Sequence, residues 1–317
     1  MRYRRLGASG CKVSVVSFGS WLTVGSSIEQ ATTNALVRAA FELGVNFFDT
    51  ADIYARGAAE SALRVALEPL RRSDYVLATK CFWPMSEAVS DRGLSRKHVV
   101  ESVHASLRRL GTDHLDLMQC HRFDPDTDVD EVVRALEDLI RQGKVHYWGV
   151  SCWTAAEVGA ACERADHWRA FRPVTNQPPY NLLERTIETE VMPRCAELRI
   201  SQIVFSPLAQ GLLTGKYAGG APPPGSRAAD ARHNSFLRPK MTGENLGRAA
   251  RAAAIARAAG HPPAAAALAW VLRRPEIASA IVGATSVRQL EENLAAGDLE
   301  LAPEVVRSLD AIAPPST

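Results

Sequence analysis

A regular alternation of strand-like and helix-like segments constrains the fold of this 317-residue chain more than any other feature. Short apolar runs typical of strands lie at residues 15–18, 46–49, 75–80, 115–120, 145–150, 174–177, 202–205 and 279–282. The unit recurs about every 35 residues, and such alternation is typical of parallel strands joined by helices. A closed barrel and an open doubly wound sheet both satisfy it. Because the units number eight and no G-x-G-x-x-G motif follows the first strand, we predict a (β/α)8 TIM barrel of the α/β class.

The segments between the strands have helix-like sequences with recognisable ends. They cover residues 29–43, 58–67, 95–110, 129–141, 155–164, 183–198, 246–259, 263–272 and 287–296. Ser95 is placed to cap the N-terminus of one helix, and Gly111 is placed to end the same helix. These signals support a helix after each predicted strand.

Three further segments complete the expected architecture. Residues 1–15 predict an N-terminal β-hairpin around a Gly-Ala-Ser-Gly turn, and residues 303–313 predict a C-terminal helix. Residues 219–225 are rich in Gly and Pro and predict a long loop able to cover a site. Because no linker separates two cores, we expect one domain over residues 1–317.

The composition is that of an ordinary globular protein and argues against several classes of function. The chain is 46% hydrophobic and 23% charged, with a formal net charge of +2. Its arginine pairs are isolated rather than arranged in a basic stripe, so no nucleic-acid partner is expected. No apolar run approaches about 18 residues, which argues against membrane insertion. The first residues lack the apolar core of a signal peptide, and we expect a cytoplasmic protein.

The cysteines give no sign of disulfides or of a metal site. Six of them are scattered along the chain without a C-x-x-C motif, which fits buried thiols in a reducing compartment. Cys120-His121 is not a metal signature by itself, and a zinc site would need ligands from distant segments, so no metal is expected. The segment from Gly211 to Lys216 resembles a phosphate loop, but its spacing excludes a Walker A motif.

Polar residues follow the apolar runs at three predicted strand ends, and they are the main candidates for chemistry. Asp49, Lys80 and His121 each end a run, and Tyr54 lies just beyond the first of them. In a parallel barrel all strands open on one face, so these side chains are expected to meet at its mouth. Buried charges are costly unless they pair, so an ion pair between Asp49 and Lys80 is predicted. Taken singly, each residue has a plain structural alternative, as a solvated strand-end charge or a hydrogen-bonded histidine.

Together, these residues suit the reduction of a carbonyl group. A tyrosine has an unperturbed pKa of about 10, and a nearby ammonium lowers that value. Lys80 is therefore expected to lower the pKa of Tyr54, which would act as general acid, with His121 as a second hydrogen-bond donor. Asp49 would keep Lys80 charged and in place, whereas Asp52 is interpreted as a solvated loop residue. No side chain supplies hydride, so a nicotinamide cofactor is implied.

Five stretches give the chain a wider resemblance. They are FDTADIY at 48–54, GLSRKH at 93–98, SPLAQGLLTGKY at 206–217, GAT at 283–285 and QLEEN at 289–293. Here the sequence resembles the aldo-keto reductases, and most of all the branch that holds the voltage-gated potassium channel β subunits and their bacterial relatives. The resemblance covers nearly the whole chain. It implies a catalytic tetrad of Asp49, Tyr54, Lys80 and His121, and NADPH/NADP+ bound across the barrel mouth without a Rossmann fold.

The resemblance also implies which positions contact cofactor and substrate. The cofactor positions are Ser20, Trp21, Asp49, Ser151, Cys152, Gln177, Phe205, Ser206, Pro207, Leu208, Gln210, Gly211, Lys216, Arg227, Gly283, Thr285, Gln289, Glu292 and Asn293. The substrate positions are Trp21, Tyr54, Trp83 and His121. Phe205 stands where Trp or Tyr is more usual and keeps a face for stacking on the nicotinamide. Gln289 stands where many relatives have Arg against the 2′-phosphate, so NADPH is favoured over NADH without being fixed.

Two functions of different classes are open from the sequence. One is an NADPH-dependent oxidoreductase that reduces small aldehydes or ketones to alcohols, and the same site would serve the reverse oxidation. The alternative is an NADP(H)-sensing regulatory subunit of the potassium channel β type, which a protein partner would read. His121 stands where the animal channel subunits carry Asn, and this favours the enzyme. The resemblance leaves the natural substrate and a homo-oligomer open.

Overall fold

Eight parallel strands close into a barrel in the computed structural model, which describes residues 1–217, 223, 226–230 and 234–314. The strands are β1 (Tyr3–Arg5) and β2 (Lys12–Ser14), which form a hairpin, and then β3 (Val16–Gly19), β4 (Phe47–Asp49), β5 (Val76–Cys81), β6 (Leu115–Cys120), β7 (Val145–Val150), β8 (Thr175–Asn176), β9 (Ser201–Val204) and β10 (Ile277–Val282). The barrel order is β10-β3-β4-β5-β6-β7-β8-β9. The predicted (β/α)8 barrel and its N-terminal hairpin are confirmed.

Helices follow the barrel strands and pack against their outer surface. They are α1 (Gln30–Glu42), α2 (Ala58–Leu67), α3 (Arg96–Leu110), α4 (Val129–Arg141), α5 (Ala155–Trp168), α6 (Val191–Glu197), α7 (Gly243–Ala258), α8 (Pro263–Leu272), α9 (Val287–Leu294) and α10 (Pro303–Asp310). Ser95 caps α3 by accepting a hydrogen bond from His98 N, as predicted. Within the described ranges, no helix is both long enough and apolar enough to cross a membrane. Apart from Pro223, the predicted Gly/Pro-rich loop lies outside those ranges.

The predicted helix over residues 183–198 is wrong in its first half. The chain there forms a short 3-10 turn, Thr186–Glu188, before α6 begins. The guanidinium of Arg185 is buried and donates to the main-chain oxygens of Asp310 and Ala313, which fixes this segment against the C-terminal helix. Pro193 lies in the first turn of α6, where its missing N–H costs nothing, and a helix begun earlier would place it in the interior.

The N-terminal hairpin covers the amino-terminal end of the barrel. Leu6, at its turn, is fully buried and packs in one cluster with Phe47, Leu117 and Ile203 from the strands. Gly7 follows with a φ of +52°, and a Cβ there would meet the main-chain oxygen of Val174 at 2.4 Å. Only glycine permits so close an approach of the turn to the barrel. The hairpin therefore closes the end opposite the candidate site.

Inside the barrel, an apolar layer gives way to a polar one toward the carboxyl ends of the strands. Apolar interior residues are followed two positions later by buried polar ones, because strand side chains alternate with a period of two. The pairs are Phe47 and Asp49 on β4, Ala78 and Lys80 on β5, and Leu117 and Gln119 on β6. Gln177, directly after β8, is a further buried polar residue, although the residue two positions before it, Thr175, is polar as well. The fold thus gathers polar groups from neighbouring strands at one depth, just under the open end.

Candidate active site

The ion pair expected from the strand order lies at the centre of this polar layer. Lys80 Nζ donates to Asp49 Oδ1 at 2.6 Å and to the main-chain oxygen of Thr50 at 2.8 Å. The Lys80 side chain has no exposed surface. Burial lowers the pKa of this ammonium, but the neighbouring carboxylate and phenol outweigh burial, so the pKa is raised overall. Lys80 is therefore a buried cation, held charged by its partners.

Tyr54 stands directly against this cation. It begins the 3-10 turn Tyr54–Gly57, and its Oη lies 3.2 Å from Lys80 Nζ. The next two residues, Ala55 and Arg56, have φ values of 48° and 50°, in the left-handed region that non-glycine residues avoid. Such backbone persists where surrounding contacts enforce it, and it is frequent at functional sites. Here the turn directs the phenol inward from just beyond β4.

The expectation that Lys80 makes Tyr54 more acidic overall is wrong. Burial raises the pKa of Tyr54 above its ordinary value; the ammonium opposes this effect, whereas Asp49 reinforces it. Burial makes the phenolate less stable than it is in water. The ammonium of Lys80, 3.2 Å away, stabilises the phenolate by less than this amount, because that ammonium is already paired with the carboxylate of Asp49. Tyr54 therefore keeps its proton at neutral pH, as a proton donor must.

His121 lies beside the phenol as a neutral imidazole. It follows β6, is 7% exposed, and its ring centroid lies 5.8 Å from that of Tyr54 in an edge-on arrangement. Burial, with the charges on Lys80 and Arg122, holds the pKa of His121 well below its usual range. Its Nδ1 has no hydrogen-bond partner in the part of the chain that the structure describes. A neutral ring offers one N–H donor without adding a second charge.

Two glutamine side chains complete the shell around Asp49. Its Oδ2 accepts hydrogen bonds from Gln177 Nε2 at 2.9 Å and from Gln119 Nε2 at 3.2 Å. Gln177 was predicted to lie near the nicotinamide, and its amide is directed at the carboxylate; Ser151 Oγ donates to its main-chain oxygen. Gln119 was missed, although a glutamine inside an apolar strand-like run signals a buried polar contact.

Asp52 is fully buried, so its interpretation as a solvated residue is wrong. Its main-chain N–H donates to the oxygen of Lys80 at 3.1 Å, which draws the turn under the strand ends. Burial and then the nearby Glu60 raise the pKa of Asp52 to about 8. Glu60 is itself buried, and accepts from Thr79 Oγ1 at 2.6 Å and from Arg109 Nε at 2.5 Å. A second set of buried carboxyl groups therefore lies behind the Asp49–Lys80 pair.

Aromatic rings form the rim of the site. The ring centroid of Trp21 lies 6.4 Å from that of Tyr54, 6.5 Å from that of Phe205 and 4.8 Å from that of Phe236. On the other side, Trp83 lies edge-on to His121, with ring centroids 6.3 Å apart. The predicted substrate positions are thus brought together, and Phe236 was not foreseen because it lies far along the chain. The rim is apolar above a charged floor, a usual composition for a small-molecule pocket.

The loop after β9 carries the strained backbone typical of a binding segment. Ser206, Ala209 and Gln210 have φ values of 53°, 48° and 59°, and Gly211 follows at 97°. This loop includes the predicted cofactor residues Pro207 and Leu208. Cys152, after β7, has a φ of 57°. Strained residues therefore follow more than one strand at the same end of the barrel.

Among the residues that the structure describes, two cations of this region have no acidic partner. Arg227 donates to the side-chain oxygen of Gln210, and Gln210 Nε2 donates to Ser206 Oγ at 2.6 Å. Lys216 Nζ lies 5.2 Å from the ring centroid of Tyr217. Among the described residues, no carboxylate lies within ion-pair distance of either cation. Burial lowers the pKa of Arg227, which means that the charged guanidinium is partly removed from water. An anionic ligand would offset the free energy lost in removing this charge from water.

The predicted adenosine positions lie after β10, beside the β9 loop. Gln289 Oε1 accepts from Thr285 N at 3.0 Å, so the side chain already has a partner. Glu292 pairs with the exposed Arg288 at 3.0 Å. Asn293 is 2% exposed, and its Nδ2 has no hydrogen-bond partner within the residues that the structure covers. Ser20, at the end of β3, is also buried and donates to Thr50 Oγ1 at 2.8 Å, while Gly283 directly follows β10.

Comparison with known proteins agrees with this geometry. A protein from Oryza sativa subsp. japonica named "Probable voltage-gated potassium channel subunit beta" is 39% identical over 317 residues, covering 98% of this chain and 96% of the relative. One of the same name from Arabidopsis thaliana is 40% identical over 302 residues, covering 94% and 92%. Both names match the branch expected from the sequence. The sequence model described as "Aldo/keto reductase family" matches residues 15–314. The chain therefore belongs to the aldo/keto reductase family.

Proposed function

We propose that this protein is an NADP(H)-dependent oxidoreductase that reduces small aldehydes or ketones to alcohols. The contact that carries the proposal is the 3.2 Å approach of Lys80 Nζ to Tyr54 Oη. When the phenol gives its proton to a carbonyl oxygen, the phenolate left behind is stabilised by a cation already in place. Membership of the aldo/keto reductase family supports the same class of reaction.

Each side chain has a separate part in the proposed reaction. Tyr54 donates the proton, Lys80 stabilises the phenolate, and Asp49 orients Lys80 and keeps it charged. The N–H of neutral His121 would donate a hydrogen bond to the carbonyl oxygen and polarise it. The rings of Trp21 and Trp83 would keep water away from the reacting groups. A bound nicotinamide supplies the hydride.

The residues present fit a dinucleotide with two phosphates. Arg227 and Lys216 carry charges without a described acidic partner, and the backbone of the β9 loop is wound into left-handed conformations beside them. The Nδ2 of buried Asn293 has no partner in the described part of the chain and suits an acceptor on the adenosine end. Phe205 would offer a ring face to the nicotinamide. We propose NADPH as the favoured form, with Arg288 as a candidate for the 2′-phosphate if it leaves Glu292.

The names of the relatives favour a second candidate, an NADP(H)-sensing binding subunit. Such a protein would use the same site to hold the cofactor, and a partner would respond to its oxidation state. The two candidate functions differ in how fast the protein would reduce carbonyl compounds. A sensor requires tight cofactor binding but no rapid reduction of carbonyl compounds, whereas the reductase requires both.

The test is NADPH oxidation with 4-nitrobenzaldehyde and methylglyoxal by the full chain and by Tyr54→Phe. Loss of the general acid is expected to lower kcat at least 100-fold, while NADPH binding changes little. Tyr147→Phe is the matched control, since Tyr147 lies on β7 away from the tetrad and should retain full activity. Equal activity of Tyr54→Phe and the unaltered chain would refute the mechanism. Cofactor binding without turnover of any carbonyl would favour the sensor.

A further inference from the structure

A cluster of two histidines and an aspartate lies at the opposite end of the barrel from the proposed active site. His114 directly precedes β6, Asp116 lies on β6, and His146 lies on β7. The register pairs Leu115 with Val145 and Leu117 with Tyr147, so Asp116 and His146 are neighbours across the two strands. The proposed function gives this cluster no role.

The three side chains already approach the geometry of a metal centre. The imidazole rings of His114 and His146 are stacked, with centroids 4.4 Å apart and planes inclined by 27°. Asp116 Oδ1 lies 3.5 Å from His146 Nδ1, and one ligand atom from each residue lies within 4.8 Å of the other two. Two ligands on one tetrahedral zinc ion lie about 3.3 Å apart, from bond lengths of about 2.0 Å. The cluster therefore has to close by at most roughly 1.5 Å.

Two of the three candidate ligands are held by further hydrogen bonds. Asp116 Oδ2 accepts from Arg72 Nη2 at 2.6 Å and from Leu77 N at 2.8 Å, which leaves Oδ1 for a metal. His114 Nδ1 lies 2.6 Å from Asp113 Oδ1, a carboxylate–imidazole pair that leaves Nε2 available. Partners of this kind orient metal ligands. Arg72 adds positive charge nearby, and we therefore expect moderate rather than tight affinity.

We infer that His114, Asp116 and His146 form a binding site for a divalent transition-metal ion of the zinc class. Two imidazoles and one carboxylate suit zinc, nickel or copper, whereas magnesium and calcium prefer oxygen ligands throughout. Three protein ligands leave a further position for water or an external ligand. The side chain of His146 is 46% exposed, so an ion has access from solvent. The site is independent of the proposed reductase activity.

The experiment uses the full chain after removal of any affinity tag and treatment with EDTA. Zinc chloride is titrated by calorimetry, with magnesium chloride as a separate titrant. We expect one zinc ion per chain, no saturable magnesium binding, and at least tenfold weaker zinc binding in His146→Ala. His146 is chosen because its exposure makes the variant a mild one. His261→Ala, on a histidine outside the cluster, should bind zinc like the unaltered chain.

Cobalt substitution provides a readout of ligand geometry. Cobalt chloride should produce visible absorption bands of a low-coordinate site, and both His146→Ala and His114→Gln should abolish them. The inference is overturned if zinc does not saturate at one equivalent, if His146→Ala binds zinc as tightly as the unaltered chain, or if His261→Ala is weakened equally. Carbonyl turnover enters none of these outcomes, so failure of the reductase proposal would leave them unaffected.

Discussion

At the scale of single residues, the most unusual groups are those behind the Asp49–Lys80 pair rather than in it. Asp52 has one oxygen that accepts from Ile53 N and another, Oδ2, without a hydrogen-bond partner among the described residues. An unpartnered carboxylate oxygen in the interior favours the protonated acid. This agrees with the raised pKa, about 8, that burial and Glu60 impose on Asp52.

The buried acid predicts an unusual pH dependence of stability. In the unfolded chain Asp52 ionises near pH 4, whereas in the folded chain it holds its proton until about pH 8. Between these values the folded state binds more protons, so this group makes stability fall as pH rises, with a slope of up to about 1.4 kcal/mol per pH unit. Asp52→Asn cannot ionise, and it should gain stability relative to the unaltered chain across that window.

Urea unfolding at several pH values between 4 and 8 would measure this difference. Asp126→Asn is the control, because Asp126 is an exposed aspartate and its replacement should shift stability by a constant small amount. A difference between Asp52→Asn and the unaltered chain that stays level from pH 4 to pH 8 would show that Asp52 is ionised in the folded state.

The sequence predicted some of these residues and not others, for a physical reason. Asp49, Lys80 and His121 end apolar strands, and strand ends share one face of a parallel barrel, so their neighbourhood follows from local pattern. Asp52 was misjudged because its burial depends on a hydrogen bond from its own main chain to Lys80, a contact that no pattern encodes. The cluster of His114, Asp116 and His146 was missed because it depends on the register between β6 and β7.

At the scale of elements, most strands and helices follow from their sequences. Val129–Arg141 and Pro263–Leu272 have the predicted bounds, because each is a continuous helix-like segment with clear ends. The helix predicted from residue 183 does not form before α6, where Arg185 binds the carbonyl oxygens of a distant segment. Tertiary hydrogen bonds there override a local preference for helix, and only the folded chain reveals them.

The hairpin formed by β1 and β2 yields a prediction about its turn. Gly7→Ala places a Cβ 2.4 Å from the oxygen of Val174, at a φ of +52°, and should destabilise the protein by about 1–3 kcal/mol. Gly10→Ala is the matched control in the same turn, since a Cβ there meets nothing within 4 Å. Thermal unfolding would measure both. Equal melting temperatures for the two variants would mean that the turn does not dock tightly on the barrel.

At the scale of the whole molecule, the open end of the barrel predicts that a ligand stabilises the fold. NADPH at about 100 times its Kd should stabilise the folded state by about 2.7 kcal/mol, seen as a rise in Tm. Arg227→Ala should lose most of that rise, because it removes a half-buried cation that lacks an acidic partner among the described residues. The Tm in the absence of NADPH should change less.

Arg251→Ala is the control for charge, since Arg251 is an exposed residue of α7. Its Tm should rise with NADPH as in the unaltered chain. A full rise in Arg227→Ala would remove Arg227 from the proposed cofactor site. NADH measured alongside NADPH would show how strongly the chain prefers the 2′-phosphate.

Closure of the barrel has a consequence for how the protein is made. The first barrel strand, β3, pairs with β10, the last strand to leave the ribosome. At about 5–20 residues per second, the nascent chain spends on the order of tens of seconds with β3 lacking this neighbour. An unpaired parallel edge invites pairing with other chains. The interval before β10 emerges is therefore the period in which a chaperone would protect this protein most.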